Sequence, residues 1–130
     1  MPHGMRAVDT NVLVRVVTRD DAKQTVRADR FVEPGAWVSH LALMEMTGVL
    51  SSVYAFNAGQ IATAVEMLLN HRELSIQDPD VVTAAAEQMR RTPRIGFSDC
   101  LILEVARKAG HLPLGTFDRD LGKLPGTEKL

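Results

Sequence analysis

The chain has 130 residues, 15 basic and 16 acidic, for a net charge of −1. That length suits one domain spanning 1–130 with a single sizeable core, and the apolar and charged fractions are those of an ordinary globular protein, which argues against general disorder. No run of about 18 apolar residues exists to predict a membrane span, and one cysteine, Cys100, rules out an intrachain disulfide, which suits a reducing cytoplasm.

Residues 1–4 read as a tag remnant or a few extra native residues, since Met5 could itself serve as a start, and nothing before Met5 has the apolar stretch of a signal peptide. Arg6-Ala7-Val8 then reads as a short strand ending at Asp9. Val12, Leu13, Val16 and Val17 recur at helical spacing. Asp20 and Asp21 resemble an N-cap pair before a helix carrying Val26, Phe31 and Val32. Gly35 marks a turn, and Ala36 to Ser39 reads as a second strand. Leu41, Met44, Gly48 and Val49 predict the next helical face, with Glu45 in or beside it.

Asn57 with Gln60 resembles a capping box before Ile61, Val65, Leu68 and Leu69. Leu74-Ser75-Ile76 alternates as a third strand. Asp78-Pro79 suits an N-cap and first helical position, followed by an apolar face of Val81, Val82, Ala85, Ala86 and Met89. Ser98 can cap a last helix with Leu101, Ile102, Val105, Ala106 and Ala109 inward and Gly110 at its end. Leu114 to Phe117 reads as a fourth strand, with Asp118 after it. Strands alternating with helices predict an α/β fold, a three-layer α/β/α sandwich around a central, mainly parallel sheet. Such sheets bind ligands beyond the carboxyl ends of their strands, which places Asp9 and Asp118 on one rim.

Four acids stand apart: Asp9, Glu45, Asp99 and Asp118. Each has an ordinary alternative. Asp9 can begin a turn, Asp99 can favour a helix dipole, Asp118 can sit in a solvated Asp118-Arg119-Asp120 turn, and Glu45 can reach water by a small rotation of its helix. As a set they suggest more. Clustered carboxylates raise each other's pKa values, and a hard divalent cation, Mg²⁺ or Mn²⁺, removes the conflict. Such a site can activate water and support in-line displacement at phosphorus. No Cys/His cluster suggests zinc.

Val8-Asp9-Thr10-Asn11-Val12-Leu13, then Glu45, then Phe97-Ser98-Asp99 before Leu101-Ile102, then Thr116-Phe117-Asp118 form an ordered set across nearly the whole chain. That set resembles the PIN-domain family, and within it the VapC-type toxin ribonucleases of toxin–antitoxin systems. The resemblance implies a roughly coplanar quartet of Asp9, Glu45, Asp99 and Asp118 that holds Mg²⁺ or Mn²⁺. It gives supporting places to Thr116 and Asn11, and an additional acid at Asp120. It further implies an endoribonuclease, a VapB-type antitoxin filling the acidic groove, and a homodimer. Ser98-Asp99-Cys100 stands where the family often has Ala-Asp-Ala.

With a net charge near zero, any attraction for RNA must be local or come through bound metal. Arg15, Arg94 and Arg119 are candidate phosphate contacts, though Arg90, Arg91 and Arg94 also suit a solvated helix end. His40 and His111 read as surface residues, Cys100 as packing, and Trp37 and Phe56 as core or interface. A haloacid-dehalogenase-type phosphohydrolase would need a second Asp where Asn11 stands. A receiver-type signalling domain fits the acid positions poorly, and no Gly-x-Gly-x-x-Gly follows the first strand. A non-catalytic interaction protein on the same scaffold is the rival from another class.

Overall fold

The structure is a computed structural model that describes residues 5–130; the tag-or-native question about residues 1–4 lies outside them. The first half runs β1 (Arg6–Ala7), α1 (Thr10–Thr18), α2 (Ala22–Val32), β2 (Ala36–Val38), α3 (His40–Ser52) and α4 (Ala58–Leu69). The second half runs β3 (Leu74–Ile76), α5 (Pro79–Arg91), α6 (Phe97–Ala109), β4 (Leu114–Thr116), a 3-10 turn at Leu121–Lys123, and β5 (Thr127–Lys129). This is an α/β fold in which, among the described residues, every strand pair is parallel. Among the described residues no helix is long and apolar enough to cross a membrane.

Local chemistry explains most boundaries. Asp9, Asp21 and Ser39 cap α1, α2 and α3, each accepting from the backbone N–H three residues on. Asn57 and Gln60 form the reciprocal capping box at α4, both bonds 2.8 Å. Gly110 ends α6 with φ of +84°, a left-handed geometry that favours glycine. Two expected caps differ. Asp78 precedes Pro79 as expected but makes no capping bond; its carboxylate meets Lys108 Nζ at 3.2 Å instead. Ser98 is not the cap of α6: the helix begins at Phe97 after an extended Gly96, so Ser98 and Asp99 both lie inside its first turn.

The core joins both halves through Leu13, Leu43, Met46, Leu50, Leu68, Met89, Leu101 and Leu103, all essentially inaccessible. Helix α5 packs on α4 and α6, and α1 packs on α2 and α3. Val81, Val82, Ala85, Ala86 and Met89 are buried as one face of α5, as their spacing predicts.

Helices α3 and α6 turn a different face inward from the one expected, and α2 buries Val32 and half-buries Phe31 of its apolar set but not Val26. In α2 the buried residues are Thr25, Ala28 and Val32, while Val26 is exposed. In α3 they are Ala42, Leu43, Met46, Thr47 and Leu50, which leaves Leu41 and Glu45 outside. In α6 they are Phe97, Cys100, Leu101 and Leu103, and Ile102, Val105 and Ala109 face water. Helices α3 and α6 are apolar on more than one side, so periodicity cannot choose the buried stripe.

The strands separate into two sheets, β1-β2-β3 and β4-β5, rather than joining in one. The strand β5 was not expected; its Thr-Glu-Lys has no apolar alternation to mark it, and it forms by pairing Thr127 with Leu114. Ala36 and Val38 of β2 and Leu74 and Ile76 of β3 face the core, while Trp37 and Ser75 on the opposite face are exposed. The β4–β5 unit is held to α6 by Arg107, which donates to Pro125 O at 3.1 Å, and it contributes the buried Leu121 and Leu124 to the core.

Candidate functional site

Asp9 follows β1 and caps α1, its Oδ1 accepting from Val12 N at 3.3 Å, and it remains exposed to solvent. Glu45 lies on the outer side of α3. Thr10, the first residue of α1, donates its hydroxyl to Glu45 Oε2 at 3.2 Å. Asp9, Thr10, Asn11, Ser39 and Glu45 line one recess of about 470 Å³, so α1 and α3 bring the first two acids of the set to a shared cavity. The exposure of Glu45 removes the burial problem that its apolar neighbours in sequence suggested.

Asp99, half-buried in the first turn of α6, lines a different recess with Arg94, Ser98 and, from α3, Thr47, Gly48 and Ser51. Helix α3 therefore lines both recesses, with Ala42, Glu45 and Val49 on one and Thr47, Gly48 and Ser51 on the other. Burial pushes the Asp99 carboxyl above the usual carboxylate range, and the negative charge of Asp118 adds to the rise. Asp118 is thus the acid that Asp99 senses. Its own carboxylate is oriented by the backbone: Oδ2 accepts from Leu121 N at 2.7 Å, while Thr116 Oγ1 accepts from Asp118 N at 3.0 Å.

The four acids accordingly lie as two pairs, Asp9 with Glu45 and Asp99 with Asp118. Among the described residues no group of three or more acid, histidine or cysteine side chains converges closely enough to hold a metal ion. Asp9 and Asp118 each follow a strand, but the strands belong to different sheets. The donor chemistry still fits a hard cation at the first pair. Mg²⁺ commonly binds through one or two carboxylates and completes its shell with water and substrate phosphate, and the Asp9–Glu45 recess is open enough for both.

The remaining candidates fall as follows. Asn11 is exposed beside Asp9. Asp120 meets Lys123 at 3.9 Å and lines a recess with Arg94. Arg119 is exposed. Arg15 is held by Asp20 at 2.9 Å, by Gln24 at 2.6 Å and by Tyr54 at 3.1 Å. Cys100 is fully buried and its thiol is pushed up to about 11 by burial, which suits a packing residue and not a nucleophile. His40 is tied rather than loose at the surface: its backbone N–H donates to Gln77 Oε1 at 2.9 Å, and Nε2 lies 2.8 Å from Gln77 O. The contact that sequence reading missed is Thr10. Its place next to Asp9 was visible, but a bond spanning 35 residues leaves no mark in local spacing.

The family model described as PIN domain matches residues 6–126. No curated protein and no solved structure matches the chain.

Proposed function

Because this chain belongs to the PIN domain family, whose members are generally nucleases that bind RNA, we propose that it is an endoribonuclease dependent on Mg²⁺ or Mn²⁺. The observation that carries the reading is the shared recess of Asp9 and Glu45, with the Thr10 hydroxyl bonded to Glu45. Asp9 and Glu45 would hold the cation there, and when bound it would supply activation of water and neutralisation of charge at a phosphodiester. Thr10 fixes the rotamer of Glu45, a contribution of the kind that outer-shell hydrogen bonds make to metal ligands. The N-cap bond to Val12 fixes Asp9. Asp99 and Asp118 extend the acidic lining, and Arg94 beside Asp99 offers a guanidinium to a phosphate oxygen.

The ordered motifs support the toxin of a toxin–antitoxin pair, neutralised by a VapB-type antitoxin and acting as a homodimer in the cytoplasm. Growth arrest on expression alone, relieved by co-expression of an adjacent antitoxin, is the expected outcome; soluble expression with no growth defect removes the toxin role and leaves the nuclease.

The decisive test compares wild type and Asp9→Asn on total cellular RNA with Mg²⁺, with Mn²⁺ and with chelator. Asparagine caps a helix as well as aspartate does, so α1 and the melting temperature should be retained while cleavage is lost. Equal cleavage by the two proteins would refute the assignment. The splitting of the acids favours one alternative, a scaffold that binds without cutting. Absence of cleavage together with absence of metal binding by calorimetry would establish that alternative instead.

A further inference from the structure

A second recess, of about 430 Å³, lies between α1 and α2. Ala28 is buried in it, Val12 and Phe31 are half-buried, and Arg27 is exposed. No carboxylate is among its lining residues. Asn11 lines both this recess and the one that holds Asp9 and Glu45, so the two lie on either side of one residue of α1.

The charges in the recess are unequal in availability. Arg15 is committed to Asp20, Gln24 and Tyr54. Arg6 lies over the Phe31 ring at 3.9 Å, covering one of its faces, and donates to the Phe31 backbone carbonyl at 3.1 Å. Arg27 has no carboxylate partner among the described residues, unlike Arg15, Arg19, Arg90 and Arg107. An apolar wall with an aromatic ring, an uncommitted guanidinium and no acid complements a base and its phosphate. It also supplies the local cationic surface that a chain of net charge −1 needs to hold RNA.

We propose that the α1–α2 recess is a nucleotide subsite for the RNA substrate. It takes the base next to the scissile phosphate against Phe31 and Val12, and it places the adjoining phosphate on Arg27. The proposal rests on the nuclease reading above, and its test is therefore read by binding rather than by cleavage.

A fluorescein-labelled single-stranded RNA of mixed sequence is titrated with protein in chelator, with anisotropy followed over a range of salt. Arg27→Glu should weaken binding by about tenfold and lower the slope of log affinity against log salt by about one. Phe31→Leu, which keeps apolar volume, should weaken binding and leave that slope unchanged. Arg30→Glu reverses another exposed charge on the same helix but outside the recess, and should change affinity less than about twofold. Equal losses for Arg27→Glu and Arg30→Glu would reduce the effect to general electrostatics and overturn the subsite. Wild-type affinity in both recess variants, or no RNA binding by the wild type, would overturn it too and leave the recess to a protein segment. Binding that depends on Arg27 in a protein that cuts nothing would sink the nuclease reading alone. Cleavage with no dependence of binding on Arg27 would sink the subsite alone.

Discussion

The two acidic pairs are built on different principles. Asp9 and Glu45 are both exposed, and each is oriented by a hydrogen bond: Asp9 by the backbone of α1 and Glu45 by the Thr10 hydroxyl. Asp99 is half-buried, and what acts on it is desolvation and a like charge. The first pair has solvated carboxylates set in place at little cost. The second carries a carboxylate that the fold would rather keep neutral. A group held against its own stability is expected where function demands a charge, which is why the strained pair is as informative as the ordered one.

The comparison can be broken most directly at Asp9, where the Asn variant is expected to separate catalysis from folding. The next largest effect is expected at Thr10. Thr10→Val keeps the branched shape and removes the hydroxyl that holds Glu45. Loss of an outer-shell bond of this kind typically lowers metal affinity or activity by about 10-fold or more. Calorimetric titration with Mn²⁺ alongside the RNA assay checks it. Unchanged metal affinity and unchanged cleavage would show that the bond merely occupies a surface hydroxyl and that the first pair is no better organised than the second.

Asp99→Asn tests the strained side. The folded-state carboxyl is raised above its unfolded value, so its contribution to stability is fully present below the unfolded pKa, near 3.9, and is lost as pH rises through the folded value. At pH 7 the ionised group therefore opposes folding. Asparagine should raise the melting temperature at pH 7 by a few degrees, and the difference should vanish below about pH 4. If Asp99 also serves the reaction, cleavage falls while stability rises. A melting temperature that drops at pH 7 would mean that the favourable interaction with the α6 N-terminus outweighs burial.

Much of this was legible in the sequence, and the gaps have physical causes. The helices announced themselves through caps, Asn57 with Gln60 being the plainest, and through one-sided faces such as that of α5. The faces of α3 and α6 were misread because apolar residues surround those helices, and the position of Glu45 depended on that choice. Three of the four acids, Asp9, Asp99 and Asp118, were visible at or beside ends of elements, and Glu45 was visible within a helix. Their division into pairs was not, because it depends on which strands hydrogen-bond, and β1 and β4 carry no signal of belonging to different sheets. The Thr10–Glu45 bond joins α1 to α3, and the recess that Arg27 lines lies between α1 and α2, so neither leaves a mark in local spacing.

The smallest effect should be found at the far end of α1, and it asks why the first pair is the ordered one. Helix α1 is fastened at its start by Asp9 and at its end by Arg15, which with Asp20, Thr18 and Tyr54 joins α1 to the loop after it and to the end of α3. The Tyr54 hydroxyl donates to Asp20 Oδ2 at 2.7 Å and accepts from Arg15 at 3.1 Å. That bond, then the Thr18 hydroxyl, then the Arg15 charge hold the Asp20 carboxyl below the usual range. Stability from such a depressed group is present above the unfolded pKa and is lost as pH falls through the folded value. Tyr54→Phe should therefore lower the melting temperature slightly at neutral pH, and the deficit should shrink in acid as Asp20 protonates in both proteins. Because α1 and α3 carry the two acids of the first pair, loosening the fastening between them should also weaken Mn²⁺ binding modestly, and less than Thr10→Val does. Metal affinity that is indifferent to Tyr54 while remaining sensitive to Thr10 would place the ordering of that pair in its immediate hydrogen bonds and not in the anchoring of the helices that bear it.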